Sequence, residues 1–360
     1  MKKVLMISCD GLGNGGVQHV MMNIVRNLSN KFNFDMLLFT KEVRYFDAEF
    51  SKYGNIFRIT KYEGPSLFRK KIDYYIRFFR IYNGVKKILK NNGPYNVIHC
   101  HNLFEAAPCL MAAKECEVPI RISHCHSSPN SSHFLAEFYR FIYRKIINSC
   151  ATYKLGCSQL ATDYLFGKNK GISVPNAIDL HKFDLSRYPI HKIKHSFIHV
   201  GSFGLTKNQS FILDVFKIIQ KQWQDATLKM IGNKNEEYEK LLYKKITDLN
   251  LKNVQLLPHD SNIPNLFSQS EYMIFPSLFE GFPLVLLEAQ AMNVKCFVSN
   301  VITMEANIGL CKYISLNKPE EYWAKEIFKS EKEPINKIDL NNISLSNYIT
   351  KINQIYEGKQ

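Results

Sequence analysis

Two glutamates, Glu280 and Glu288, stand in the stretch FPSLFEGFPLVLLEAQAM that runs from Phe275 to Met292. An apolar strand is expected to end at Phe275. Gly281 and Pro283 then make a turn, and proline suits the first turn of the helix that follows. The amino end of a helix offers free backbone N–H groups to an anion. Carboxylates beside it, Glu280 in the turn and Glu288 on the helix, can accept hydrogen bonds from neutral hydroxyls near a bound phosphate. The plain alternative is a capping Glu280 and a surface Glu288. Lys207 is the cation of the set. It stands where a helix is expected to begin, with Thr206 as N-cap. A positive charge there costs up to about 1 kcal/mol unless an anion is held beside it.

The histidines form a second set. His99-Cys100-His101 and His124-Cys125-His126 each close an apolar strand. Alternate strand residues point to one side, so either histidine pair could share an ion. No acid or further cysteine completes a tetrahedral set by spacing, there is no Asp-x-Asp pair, and no metal is expected. Gly11, Gly13 and Gly16 satisfy G-x-G-x-x-G, the dinucleotide-binding fingerprint. That reading needs an acid at the end of the second strand. Asp35 lies at its start instead, and the end reads Phe39-Thr40-Lys41. Gly15 and Gly16 then read as a side-chain-free helix start that lets backbone amides approach a phosphate and a sugar.

Elements that position these residues follow from the apolar pattern. One set of continuously apolar strands is expected at residues 4–8, 34–39, 96–101, 120–124, 153–157 and 172–174. A second set is expected at 197–201, 227–231, 254–257, 272–275, 295–298 and 312–314. Such runs are strands buried on both faces of a parallel sheet. Helical segments between them, such as 16–28, 104–116, 208–223 and 283–292, give the β-α alternation of a doubly wound sheet, twice. The division falls in the polar, aperiodic stretch from Val174 to His195, and a ligand is expected in the cleft between the two domains. The final segment carries Leu345, Tyr348, Ile349, Ile352, Ile355 and Tyr356 at helical spacing.

The 360 residues are 46% hydrophobic and 22% charged, which suits two full cores. No apolar run is long enough to cross a bilayer, no signal peptide is expected, and the expected location is cytoplasmic. The nine cysteines show no paired spacing and read as reduced thiols. The net charge of +15 fits nucleic acid, an anionic membrane or a phosphate-bearing substrate, or plain lysine-rich usage. Residues 66–92 hold Phe68, Ile72, Tyr75, Ile76 and Phe79 on one face, ringed by Arg69, Lys70, Arg77, Arg80, Lys86 and Lys87. That suits a helix on anionic lipid, or equally a helix covering the sheet with its lysines in water. Phe138 to Ile147 repeats the character.

EGFPLVLLE, with its flanks, resembles the E-x7-E motif of family 4 of the retaining glycosyltransferases, enzymes of the GT-B fold that use nucleotide sugars. The resemblance runs the length of the chain. GGVQHVMMNIVRNL resembles the family's glycine loop and first helix; VIHCHN and RISHCHSS resemble its inter-domain strand ends. VPNAID resembles its linker and HVGSFGLTKNQ its diphosphate-binding turn. Bacterial capsule and exopolysaccharide transferases are the most similar members.

The resemblance implies an α/β chain of two Rossmann-like domains facing a cleft. Residues 1–177 would be the acceptor side and 178–343 the donor side, with 344–360 a helix packing back toward the first domain. It implies His126, Lys207 and Glu280 as catalytic residues. Gly15, Gly16, Ser202, Lys207, Glu280, Gly281, Phe282, Pro283 and Glu288 would bind the donor, and His101 and His124 would line the acceptor side. Ser202 stands where the family has an arginine. The implied reaction is retaining, metal-independent transfer from a nucleotide-diphosphate sugar, a UDP-sugar, to a lipid-linked saccharide, with no cofactor and no nucleic acid. A nicotinamide oxidoreductase, a nonhydrolysing sugar-nucleotide epimerase and a basic nucleic-acid-binding protein are the competing readings.

Overall fold

The computed structural model describes residues 1–59, 70–127, 134–188, 192–233, 235–334 and 338–359. The chain divides into two units: Met1–Asn176 with Ser346–Gln360, and Ala177–Leu345. The terminal helix α12 (Leu345–Glu357) thus belongs to the first unit from Ser346 onward.

Unit 1 begins with β1 (Lys2–Ser8), α1 (Gly16–Leu28), β2 (Phe32–Leu38), α2 (Asp47–Phe50) and β3 (Ile56–Arg58). It continues with α3 (Lys70–Asn92), β4 (Val97–Cys100), α4 (Ala106–Glu115), β5 (Ile120–Cys125) and α5 (Phe134–Cys150). β6 (Tyr153–Gly156), α6 (Gln159–Phe166) and β7 (Ile172–Ser173) complete its sheet. Its strands are parallel, in the order β3-β2-β1-β4-β5-β6-β7. Val4 to Ile7 and Val97 to Ile98 have no exposed surface, as expected for strands covered on both faces. The short β3 had no sequence signal of its own. It exists because it pairs with Met36 to Leu38 of β2.

Unit 2 contains β8 (Ser196–Val200), α7 (Gln209–Gln222), β9 (Thr227–Gly232), α8 (Glu236–Asp248), β10 (Val254–Pro258) and α9 (Ile263–Gln269). β11 (Tyr272–Phe275), α10 (Leu284–Ala291), β12 (Lys295–Ser299), β13 (Cys311–Ile314) and α11 (Glu320–Ser330) follow. The parallel order is β10-β9-β8-β11-β12-β13. Phe197, Phe216, Trp223 and Trp323 fill the core on the α7 and α11 side.

In each sheet the winding reverses once, between β1 and β4 in unit 1 and between β8 and β11 in unit 2. At such a point the loops leaving two neighbouring strands part to opposite faces and open a crevice at the carboxyl ends, where ligands of open α/β sheets bind. The glycine loop and the HCH ends lie at or beside the first reversal. The turns of Lys207 and Glu280 lie at the second.

Candidate functional site

In unit 2 the turn after β8 and the turn after β11 are tied together. The Leu278 N–H donates to the Thr206 carbonyl at 2.8 Å. Asn208 Nδ2 donates to the Pro276 carbonyl at 3.2 Å. These bonds bring Lys207 against Glu280 across 73 residues of sequence, where Nζ donates to Oε1 in an ion pair. Both side chains are mostly covered, with 22% and 11% of their surface exposed, so their attraction is less screened than a surface pair's. Lys207 also lies over the Phe275 ring, 5.6 Å from its centroid.

Thr206 does not cap α7. Leu205 to Lys207 form a single 3-10 turn, and Asn208, in the left-handed region at φ 57°, precedes the helix. Asparagine is among the few residues that tolerate that conformation. Lys207 therefore stands just before the helix, still at its positive end, and the Glu280 carboxylate is the anion held beside it.

Gln209, unnoticed in the sequence, pins the turn: Nε2 donates to the Ser202 carbonyl at 3.0 Å and Oε1 accepts from the Gly204 N–H at 3.4 Å. The same Nε2 approaches His199 Nε2 at 3.4 Å, while His199 Nδ1 donates to the Ile274 carbonyl at 3.0 Å. Burial pushes the His199 imidazole down to about 4, so it is neutral. Ser202 Oγ accepts from Asn233 Nδ2 at 3.4 Å; a hydroxyl bonded to a side-chain amide occupies the place where the resemblance has an arginine.

Pro283 precedes α10 in extended conformation, and Phe282 is buried beside it. Glu288 lies on α10, half-buried, and burial pushes its carboxyl up to about 7, with Lys182 opposing. It is thus neither a cap nor a freely solvated charge. The carboxyl ends of α9 and α10 share a cation: Lys192 Nζ donates to the carbonyls of Phe267, Ser270 and Met292 at 2.8, 2.6 and 2.7 Å. Helix dipoles favour that placement, while burial lowers the amine to about 8.

In unit 1, Gly15 precedes α1 and its carbonyl accepts from the His19 N–H at 3.0 Å. A Cβ on Gly15 would strike Gln18 Oε1 at 2.5 Å, whereas one on Gly16 would meet nothing within 4 Å. The atom met at Gly15 is the movable end of the Gln18 side chain, so the clash can be relieved, and Gly16 leaves open space at a helix start. Asp35 cannot serve a nucleotide ribose. It is 2% exposed and bound to Tyr95, Lys3 and Asn55.

The histidines pair across strands and not along them. β4 and β5 run in register with His99 beside Ile122. His99 Nε2 lies 3.2 Å from His124 Nδ1, and His101 Nδ1 lies 2.8 Å from His126 Nε2. The two pairs stack, with centroids of His99 and His101, and of His124 and His126, 4.1 Å apart. His99 Nδ1 also meets the Tyr356 hydroxyl of α12 at 2.8 Å. Burial holds all four imidazoles well below their usual range, His126 at about 3. His99, His101 and His124 have ring nitrogens within 4.8 Å of one another. Holding one ion would require His99 to give up a bond, and rings stacked at 4.1 Å with planes 32° apart aim their lone pairs poorly at a common point.

The arrangement has two chemistries. Unit 2 offers a cation, a carboxylate and a helix start, suited to phosphate and hydroxyls. Unit 1 offers neutral imidazoles, suited to hydroxyls alone. On α3 the buried stripe Ile81, Val85 and Leu89 faces the protein while Ile76 and Phe79 are exposed. The part of the basic aromatic stretch at residues 66–69, with Phe68 and Arg69, lies outside the described residues, as do the side chains of Lys70, Ile72 and Tyr75. On α5, Phe138 and Phe141 are exposed, and Lys145 lies over the Phe141 ring.

Residues 14–182 match the model of Glycosyltransferase Family 4, and residues 184–310 that of Glycosyl transferases group 1. The chain is 27% identical over 351 residues to EpsF of Bacillus subtilis (strain 168), to which a glycosyltransferase activity is ascribed, covering 91% of this chain and 88% of that one. It is 27% identical to the capsular polysaccharide biosynthesis glycosyltransferase CapH of Staphylococcus aureus, covering 73% and 77%. It is 29% identical to the UDP-Gal:alpha-D-GlcNAc-diphosphoundecaprenol alpha-1,3-galactosyltransferase of Escherichia coli, covering 58% of each. Among solved structures, Anabaena Alr3699/HepE in complex with UDP and glucose superposes with a TM-score of 0.76 at 15% identity, covering 99% of this chain and 100% of that one.

Proposed function

This chain belongs to glycosyltransferase family 4, with the GT-B fold, and on that premise we propose that it carries out retaining transfer of a sugar from a UDP-sugar to a hydroxyl of a lipid-linked saccharide during capsule or exopolysaccharide synthesis. The observation that carries the donor half is the Lys207–Glu280 pair at the winding reversal of unit 2. Lys207 carries ammonium protons for the diphosphate, and the Glu280 carboxylate is assigned to a donor-sugar hydroxyl. Glu288 receives the ribose hydroxyls.

The bond between the anomeric carbon and the diphosphate oxygen breaks, and its electron pair leaves with the diphosphate. Lys207 and the backbone N–H groups of Gly281 and Phe282 stabilise that charge. The acceptor oxygen forms the new bond to the anomeric carbon on the face the diphosphate leaves, and its hydroxyl proton passes to the departing diphosphate oxygen. As the family resemblance implies, we assign His126 to the donor sugar and His101 and His124 to the acceptor. The charge is met by lysine and helix dipole, so the reaction requires no metal. The UDP donor is supported by the HepE complex, the lipid-linked acceptor by the E. coli relative, and the pathway by CapH.

No helix among the described residues is long and apolar enough to cross a membrane. Ile76 and Phe79 with Arg80 and Lys87 on α3, and Phe138 and Phe141 with Lys145 on α5, form exposed apolar surface ringed by cations. We propose that this surface lies on anionic lipid, where the acceptor resides. Incubation with UDP-, GDP- and ADP-sugars and an undecaprenyl-diphosphate saccharide, with and without EDTA, tests the reading. Release of UDP with EDTA-resistant sugar transfer is expected. Failure of every donor to yield a glycosylated lipid would sink it.

A further inference from the structure

Tyr356 is fully buried, and burial raises its hydroxyl well above the usual range, so it keeps its proton. Among the described residues the only hydrogen-bond partner of that hydroxyl is His99 Nδ1, at 2.8 Å. A buried phenol that does not donate leaves its proton orphaned. Donation makes His99 Nδ1 an acceptor and puts the His99 proton on Nε2. That N–H donates to His124 Nδ1 at 3.2 Å, so the His124 proton is on Nε2 as well. His124 Nε2 is buried and without a partner among the described residues. The reverse order would orphan the phenol proton at one end and leave a bare lone pair at the other, two faults instead of one.

We propose that Tyr356, through His99, sets the tautomer of His124 and so presents its Nε2–H as a hydrogen-bond donor to an oxygen of the bound saccharide. The relay moves no proton during turnover. It fixes which end of each ring carries one, and Tyr356 and His99 are positioning residues. The tautomer order rests on the geometry alone; the saccharide oxygen as its ligand rests on the transferase reading.

The test is nitrogen-15 NMR of the histidine-labelled chain, whose ring shifts distinguish the two neutral tautomers. In the unaltered protein both His99 and His124 are expected as Nε2–H species at neutral pH. This measurement needs no variant, and Nδ1–H on His124 would overturn the relay. Tyr356→Phe should leave both rings in mixed tautomers, while Tyr348→Phe, which removes another buried hydroxyl of the same helix, should not. Unchanged ring shifts in Tyr356→Phe would also overturn the relay.

In transfer assays Tyr356→Phe should lower kcat about tenfold with UDP affinity unchanged, because the bonds of the relay run to none of the residues assigned to UDP. Tautomers as expected with kcat unchanged would overturn the saccharide assignment. Absence of transfer by the unaltered protein would instead count against the transferase reading and leave the tautomer result standing.

Discussion

The polar cluster of unit 1 and that of unit 2 sit at equivalent places in two similar sheets, yet they solve opposite problems. Four imidazoles in unit 1, three buried and His126 half-buried, are neutral and bonded to one another or to Tyr356. In unit 2 a full positive and a full negative charge are held together with part of their surface open. A neutral array can discriminate hydroxyls but cannot neutralise a leaving diphosphate. A charged pair can do so, at the cost of keeping desolvated charge in place.

Acid breaks the contrast most strongly. The folded-state pKa of each unit 1 imidazole lies below its unfolded value of about 6.5, so stability is present above pH 6.5 and falls as pH drops below it. Each of the four costs up to about 1.4 kcal/mol per pH unit. Both tryptophans, Trp223 and Trp323, lie in unit 2. Thermal melts near pH 5 should therefore show an early transition by circular dichroism that tryptophan emission does not follow. Coincident transitions would mean that the histidines do not govern unit 1 alone.

Lys207→Ala removes the cation from unit 2 and should lower kcat about 10²- to 10³-fold, with the melting of unit 1 unchanged. A loss below tenfold would remove the lysine from the leaving-group role. Glu288 titrates in the other direction. Its folded pKa is raised to about 7 from 4.5, so its contribution is present below pH 4.5 and is lost as pH rises through 7. The loss is at most about 3 kcal/mol, and should appear in tryptophan-monitored melts of the parent but not of Glu288→Gln. Identical pH slopes in the two would refute the burial assignment.

Gly16→Ala should have the smallest effect on folding. The methyl enters open space, so stability should change by less than about 1 kcal/mol. Transfer should fall if a ligand approaches that helix start, and an unchanged kcat/KM would leave Gly16 without a ligand.

Much of this was legible in one dimension. Gly16–Leu28 and Tyr272–Phe275 are the elements that periodicity indicated, residue for residue, because a parallel strand covered on both faces must be continuously apolar. β3 was not legible, since three half-buried residues carry no pattern apart from their partner strand. Lys207 and Glu280 were each singled out, but their contact depends on two loops meeting at a winding reversal. Thr206 satisfied the chemistry of an N-cap, yet the turn at Leu205–Lys207 and the left-handed Asn208 displaced the helix start. Gln209 and Lys192 gave no signal, as an amide among backbone carbonyls and a lysine between helix ends look ordinary in sequence.

What the amino-acid order by itself determined is the double β-α winding and the identity of the reactive side chains, since both follow from local hydrophobic period and residue chemistry. Only the tertiary structure decided which of those side chains meet. His99 pairs with His124 and not with His101, and its proton is directed by Tyr356, 257 positions away. The physical reason is that a hydrogen bond needs an approach within about 3 Å, and strand register, winding and the packing of the last helix bring these atoms that close.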